Sequence, residues 1–370
     1  KFIVCEYIPE ETKEVELKNN EVQFFIVKNS SKALGHIASE FFDNPSKKLK
    51  IVGITGTNGK TTTVTLLHNL FILGYKVGLI STIVNKINHK EIKATHTTPD
   101  AIELNKLFNQ MVVEGCEFVF MEVSSHAIVQ NRIAGVHFAG GIFSNITHDH
   151  LDFHKTFAEY IKAKKGFFDI LSPKAFALTN IDDQNGMVML QNTKAMKYTY
   201  SLKTIADFHA IVLENDFEAQ LLNIEGIEIW TKLIGQFNAY NVLVIYSTAI
   251  LLGLNKDEIL KVLSQLEPAQ GRFESVSTSK GTKAIIDYAH TPDALINVIK
   301  TINQIRKSNG KLITVVGCGG DRDKTKRPIM AKIAAENSDT LILTSDNPRT
   351  ENPEEIIKDM QSGLDIITEK

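Results

Sequence analysis

Cysteine is scarce. The chain has three in 370 residues, Cys5, Cys116 and Cys318, far apart and odd in number. That argues against a disulfide framework or a Cys-x-x-Cys metal site and leaves buried free thiols as the plain reading. There is no run of about 18 apolar residues, and no signal peptide is legible, so a cytoplasmic protein without a membrane partner is expected. Excess charge is missing too. At a net charge of −2, nothing favours nucleic acid or an anionic membrane as partner. What is there is the composition of a globular protein, 43% hydrophobic and 23% charged, with more length than one ordinary core uses.

Two features suggest an incomplete chain. It starts at Lys1 without a methionine, inside the strand-like "KFIVCEY", and it stops at "LDIITEK" just after a helix pattern. From Lys50 onward, short apolar runs alternate with helical periodicity. "KIVGIT", "KVGLIST", "FVFMEV", "GGIFSN" and "AFALTN" read as strands, with helices over 60–73, 100–114 and 157–171. Continuous apolar strands separated by helices predict a doubly wound, mostly parallel α/β sheet. Residues 195–235 lack a helix pattern and predict a small antiparallel β region, followed by helices over 237–252 and 256–266. A second α/β series, Rossmann-like, begins after "EPAQGRF" with "AIIDYA", "KLITVVG" and "TLILTS" and helices over 291–307, 325–337 and 353–362. The expected division is a remnant of an N-terminal domain over 1–47, a central domain over 48–270 and a truncated C-terminal domain over 271–370.

The strongest chemical signal is "IVGITGTNGKTTT", residues 51–63. A buried strand enters a glycine-rich loop, and Lys60-Thr61 opens a helix. Loop glycines let backbone N–H groups approach phosphate oxygens at the positive end of the helix dipole. Lys60 would reach the β- and γ-phosphates of ATP or GTP, and the Thr61 hydroxyl would ligate Mg²⁺. The strict Gly-x4-Gly-Lys-Thr spacing needs glycine at 54, where Ile54 stands, so the loop is a variant.

Mg²⁺ prefers oxygen ligands, and a nucleotide site normally adds one or two protein groups to the loop hydroxyl. Glu122 ends the strand "FVFMEV", where ligands bind in open α/β sheets. "THDHLDFH", residues 147–154, follows the next strand in the same way and offers His148, His150, Asp152 and His154. The spacing is one residue off the His-x-His-x-Asp-His pattern of two-metal hydrolases. Asp149 and Asp152 could equally cap or turn the chain. In the following helix, Phe157, Tyr160, Ile161, Phe168 and Leu171 define an apolar stripe, and Lys164 falls in its middle. Either this lysine snorkels out or it is a functional group aimed at the metal site.

In order along the chain, "GTNGKTT", "THTTPD", "MEVSSHAIVQNR", "NITHDHLDFH", "GQFNAYN", "GRFE", "DYAHTPDAL", "GCGGDRDKTKRP" and "DNPRTENP" resemble the Mur ligases. These are the ATP-dependent amide-forming enzymes of peptidoglycan synthesis. The likeness is greatest to the branch that adds the third residue of the stem peptide. It implies that Gly56, Thr57, Asn58, Gly59, Lys60, Thr61 and Thr62 hold the ATP phosphates. It further implies Mg²⁺ on Thr61, Glu122, His150 and a carbamylated Lys164, with Lys60, His150 and Lys164 catalytic. Asn238 and Asn241 match the adenine side, and Arg272 and Asp287 match nucleotide contacts from the C-terminal domain. Thr97, Thr98, Ser124, Gln130 and Arg132 match contacts to UDP-MurNAc-L-Ala-D-Glu.

The "DNPR" stretch, Asp346, Asn347, Pro348 and Arg349, resembles the motif that selects meso-diaminopimelate over lysine, and Arg322 matches a second carboxylate contact. Arg349 offers the planar bidentate partner that meso-diaminopimelate's extra carboxylate requires. A monomer is expected. The competing expectations are a lysine-adding or folylpolyglutamate-type ligase, a zinc hydrolase centred on 148–154, and a nucleotide-binding fragment without turnover.

Overall fold

The computed structural model describes residues 1–8, 22–279, 281–306 and 309–364, apart from the side chains of Leu151 and Asp152. The turn role expected of Asp152 therefore lies outside the described residues, as do parts of the N-terminal remnant and the last residues of "LDIITEK".

One sheet of eleven strands dominates. From edge to edge it runs Ile227–Thr231, Gln220–Ile224, Phe208–Asn215, Met196–Ser201, Phe176–Asn180, Gly140–Phe143, Lys50–Thr55, Phe118–Glu122, Val77–Ile80, Val84–Ile87 and Lys90–Lys93. The stretch from Phe208–Asn215 to Val77–Ile80 is parallel throughout, and each edge carries an antiparallel pair. The central strands alternate between two apolar layers. Val52, Ile54, Phe118 and Phe120 pack towards helices Lys60–Phe71 and Gln236–Leu251. Ile51, Val119 and Met121 pack towards helices Ala101–Val113 and Phe157–Asp169. Burial on both faces is why these strands read as continuous apolar runs.

Two details differ from the sequence reading. Residues 195–235 are antiparallel only in part. Met196–Ser201 pairs parallel with both Phe176–Asn180 and Phe208–Asn215, so this stretch extends the main sheet, and only Gln220–Ile224 and Ile227–Thr231 add antiparallel strands. Side-chain alternation reports which face is buried and not the direction of the neighbouring strand. The hairpin Val84–Ile87 to Lys90–Lys93 has no counterpart in the expected elements. It turns through Asn88 at φ 55°, and its polar composition hid it.

Strand Lys50–Thr55 lies where the chain order reverses. The chain continues to Val77–Ile80 and Phe118–Glu122 on one side and to Gly140–Phe143 on the other. The carboxyl ends of strands at such a switch point form a crevice. Over it stands the C-terminal unit. This unit has a hairpin, Glu274–Ser277 with Lys283–Ile286, and a parallel pair, Ile313–Val316 with Thr340–Leu343. Helices Pro292–Ile305, Lys326–Asn337 and Pro353–Gln361 enclose a small core of Leu295, Ile299, Met330, Ala334 and Met360. At the other end, Phe2–Cys5 pairs parallel with Gln23–Ile26, followed by helix Ser30–Phe41. Among the described residues, no helix is long and apolar enough to cross a membrane.

Candidate active site

The glycine-rich loop is fixed by the strand ends beside it. Thr57 N donates to the Asn145 carbonyl at 2.8 Å, and Asn58 N donates to Asn145 Oδ1 at 2.9 Å. The Asn58 carbonyl accepts from Ser144 Oγ at 2.7 Å and from Asn145 Nδ2 at 3.1 Å. A Cβ on Gly56 would stand 1.9 Å from Ser144 Oγ, so only glycine fits that approach. Gly59 is the N-cap of helix Lys60–Phe71 and offers no side chain to its free N–H groups, which leaves that end open to an anion. Thr62 is buried in the first turn. Lys60 Nζ folds back on the loop and donates to the Gly56 and Thr57 carbonyls, both at 2.9 Å. Desolvation holds its pKa below that of a free lysine, opposed by the charges of Glu122 and Asp149.

Glu122 ends its strand beside this loop and is out of solvent. Its Oε1 accepts from Thr61 Oγ1 and from Thr82 N, each at 2.8 Å. Its Oε2 has no hydrogen-bond partner among the described residues. A buried carboxylate oxygen without a donor is costly. With the Thr61 hydroxyl alongside, it makes a hard-oxygen pair of the kind Mg²⁺ takes. Arg272 reaches across from the C-terminal unit, its Nη2 3.2 Å from Thr61 Oγ1 and its guanidinium 4.6 Å from the centre of the Tyr288 ring. Asp287 supports that approach by accepting from Phe273 N at 2.8 Å. Burial raises its pKa.

Lys164 is inside, as its place in the apolar stripe predicts, at 1% exposure. Its Nζ donates to the Gly56 carbonyl at 2.8 Å and lies 4.4 Å from the centre of the Tyr160 ring. Desolvation, with Lys60 adding repulsion, pushes its pKa well below the usual lysine value, towards the neutral amine. His150 takes a left-handed backbone at φ 54°. Its Nε2 lies 3.4 Å from Asp149 Oδ2. Burial lowers its pKa to about 4, with Asp149 pulling the other way, so the imidazole is neutral near pH 7. His154 shares the Tyr160 ring with His150, at 5.0 and 6.2 Å between ring centres. His148 stacks on Phe157, and buried His154 has Nε2 2.8 Å from Ser125 Oγ. Among the described residues, no three His, Cys, Asp or Glu side chains gather as a metal cage.

The expected dipeptide contacts form one connected patch. Thr98 Oγ1 donates to the Glu122 carbonyl at 2.8 Å and accepts from Ser124 N at 3.0 Å. Arg132 donates to the Thr98 carbonyl and to Gln130 Oε1, both at 2.8 Å. Thr97 Oγ1 accepts from Thr82 Oγ1 at 3.1 Å. Asn238 and Asn241 are buried and satisfy one another: Asn241 Nδ2 donates to Asn238 Oδ1, and Asn238 Nδ2 to the Ile234 carbonyl, each at 2.9 Å.

The loops expected to meet the amino acid stand apart, at the carboxyl ends of Ile313–Val316 and Thr340–Leu343. Asp346, Asn347, Arg349 and Arg322 are exposed there and Pro348 is half-buried. The Arg349 guanidinium donates to the Gly320 carbonyl, and Gly320 N donates to the Asn347 carbonyl at 2.9 Å. Sequence reasoning missed Asn145, which holds Thr57 and Asn58 through its carbonyl and its side-chain amide, and Thr82, whose N–H donates to Glu122. It also missed Asp293, whose Oδ2 accepts from Asn58 Nδ2 at 2.9 Å and joins the C-terminal unit to the phosphate loop. No local pattern signals a contact between residues so far apart in the chain.

The family model of the Mur ligase middle domain matches residues 54–249, and that of the Mur ligase glutamate ligase domain matches 271–370. A UDP-N-acetylmuramoyl-L-alanyl-D-glutamate--2,6-diaminopimelate ligase of Cytophaga hutchinsonii is 57% identical over all of this chain and 75% of that protein. One of the same name from Clostridioides difficile is 43% identical over 92% of this chain and 72% of that protein. A solved structure of a ligase of that name superposes with a TM-score of 0.70 at 31% identity, over 98% of this chain and 79% of its own. A folylpolyglutamate synthase of Mycobacterium tuberculosis shares the fold, with a TM-score of 0.71 at 16% identity, over 90% of this chain and 82% of its own. The chain belongs to the Mur ligase family.

Proposed function

We propose that this protein is an ATP-dependent ligase that joins meso-diaminopimelate to the D-glutamate γ-carboxylate of UDP-MurNAc-L-Ala-D-Glu, in cytoplasmic peptidoglycan precursor synthesis. The observation that carries the reading is the convergence at one strand switch point of Lys60, Thr61, Arg272 from the other unit, and Glu122, whose Oε2 has no partner among the described residues. The curated relatives named above, two of them at 57% and 43% identity, supply the substrates.

The γ-carboxylate oxygen would attack the ATP γ-phosphorus, breaking its bond to ADP and leaving an acyl phosphate. The amine of meso-diaminopimelate then attacks the acyl carbon, phosphate leaves with the bonding pair, and the amine gives up a proton. Gly56 to Thr62 would hold the phosphates, with Lys60 offsetting their charge, while Asn238 and Asn241 shape the adenine side beneath the loop. Catalysis of this kind is mostly positioning and charge stabilisation. Mg²⁺, when bound, neutralises phosphate charge. Thr61, Glu122, His150 and Lys164 are the residues that would hold it. A neutral amine is the form that adds CO₂, so the depressed pKa of Lys164 supports its carbamylation, which would turn a buried amine into an oxygen ligand. His150, neutral for the same reason of burial, has a lone pair to offer.

Thr97, Thr98, Ser124, Gln130 and Arg132 would seat the dipeptide beside Glu122. Arg322 and Arg349, with Asp346, Asn347 and Pro348, would read the amino acid. Division into 1–47, 48–270 and 271–370 is part of the same reading. So is a monomer. Phosphate release with ATP and UDP-MurNAc-L-Ala-D-Glu tests the proposal. It should depend on meso-diaminopimelate and respond weakly to lysine; release independent of the amino acid would overturn it.

A further inference from the structure

The clearest feature outside the nucleotide site is Arg327, a fully buried arginine in the first turn of helix Lys326–Asn337. Its Nη1 donates to Glu351 Oε2 at 3.0 Å and to Asp359 Oδ2 at 2.8 Å. Its Nη2 donates to Glu351 Oε1 at 2.8 Å and to the Gly319 carbonyl at 3.3 Å. The fork on Glu351 is bidentate, the strongest geometry available to this pair. Glu351 Oε1 also accepts from Asp321 N at 2.6 Å, and Lys324 Nζ lies 3.1 Å from Oε2.

These contacts tie together the two loops that carry Arg322 and Arg349. Asp321 immediately precedes Arg322, and Thr350-Glu351 immediately follows Arg349. Thr350 Oγ1 donates to Asp321 Oδ1 at 2.7 Å, closing the bridge on the solvent side. A Cβ on Gly320 would stand 1.8 Å from the Pro348 carbonyl oxygen, so the two backbones are in direct contact. Asp321 and Arg349 both hold left-handed backbones, at φ 50° and 49°. Non-glycine residues keep that conformation only where their surroundings over-determine it. A buried ion pair is weak evidence of stability, since apolar side chains of similar volume fill such space as well. Geometry is what it secures better.

We propose that Arg327 and Glu351 are a positioning pair that sets the spacing and direction of the Arg322 and Arg349 guanidiniums, and so determines how strongly the site prefers an amino acid with a second, distal carboxylate. Neither residue touches the substrate. The inference rests on the reading that these two arginines receive that carboxylate.

The test is steady-state kinetics of the full enzyme with meso-diaminopimelate and with lysine. Glu351→Gln should raise KM for meso-diaminopimelate about tenfold, hold KM for ATP within about twofold, and lower the diaminopimelate-to-lysine ratio of kcat/KM. In an Arg349→Ala background the same change should move that ratio by less than it does in the wild type, because one of the two groups it positions is gone. Thr350→Val, an exposed and nearly isosteric change, should act in the same direction by about threefold, and it carries the test should Glu351→Gln not fold. A ratio unchanged in both variants, or an equal loss with both amino acids, overturns the positioning role alone. A wild-type enzyme that does not prefer meso-diaminopimelate overturns the substrate reading and the inference with it.

Discussion

The two ends of the site are built differently. Around the phosphate loop the polar groups are mostly buried and held by neighbouring strand ends, and the loop glycine Gly56 cannot take a side chain. Around the proposed amino-acid loops the chemistry-bearing side chains are exposed, two backbones are left-handed, and one buried arginine ties the loops from beneath. The nucleotide end rests on the large sheet core, while the amino-acid end sits on a small core of three helices and two short strand pairs. ATP chemistry needs a preorganised site whatever amino acid follows. Specificity can be carried by loops on a scaffold, provided something holds them.

The largest effects should come from breaking the first end. Lys60→Met should lower kcat by roughly 10²–10³-fold while the protein still folds, because Lys60 bonds only loop carbonyls. Single-turnover phosphate release checks this, and near-wild-type turnover would remove Lys60 from the charge-stabilising role. Lys164→Met should cost roughly 10²-fold in activity yet melt no lower than wild type in bicarbonate-free buffer, since it replaces a buried amine with an apolar chain. Thermal melts beside activity assays decide it. A clear fall in Tm would mean that the Gly56 hydrogen bond of Lys164 matters more to the fold than to function.

This contrast also governs what could be read in advance. The strand–loop–helix around Lys60 was legible because its glycines, lysine and threonine are contiguous and each is dictated by backbone geometry. Lys164 was legible as inward because helical spacing alone puts it in an apolar stripe, though its target was not. Direction of pairing at Met196–Ser201 was not legible, since alternation carries no sign. Nor was the Asn58–Asp293 contact, which depends on how two units meet. Arg327 sat in plain view inside "GCGGDRDKTKRP", but nothing in its local pattern distinguishes a buried arginine from a surface one. "THDHLDFH" shows the opposite case: its histidines are dense in sequence, yet His148 stacks on Phe157 and His154 meets Ser125, and no pattern within the stretch separates their surroundings from those of His150.

At the second end, Arg349→Ala should reduce kcat/KM for meso-diaminopimelate by about 10- to 100-fold and leave the KM for ATP unchanged. A loss shared equally by ATP would make Arg349 a fold contact rather than a specificity contact.

The smallest effect is one of stability, and it separates the clamp from the loops it holds. The Arg327 fork and the Asp321 amide hold the Glu351 carboxyl down to about pKa 2 from an ordinary 4.5. A carboxyl with a depressed folded pKa releases its proton more readily folded than unfolded. Its contribution is therefore present in full above about pH 4.5 and is lost as pH falls towards about 2. Glu351→Gln should melt a few degrees below wild type at pH 7, by an amount that stays constant down to about pH 5 and narrows below it. Arg327, Lys324 and Asp359 share the cluster, so Asp359→Asn provides the comparison. It removes one partner of Arg327 without touching Asp321, and should lower Tm while leaving amino-acid preference intact. If Asp359→Asn shifts that preference as much as Glu351→Gln does, the helix beneath the loops, and not the bridge between them, is what orients the two arginines.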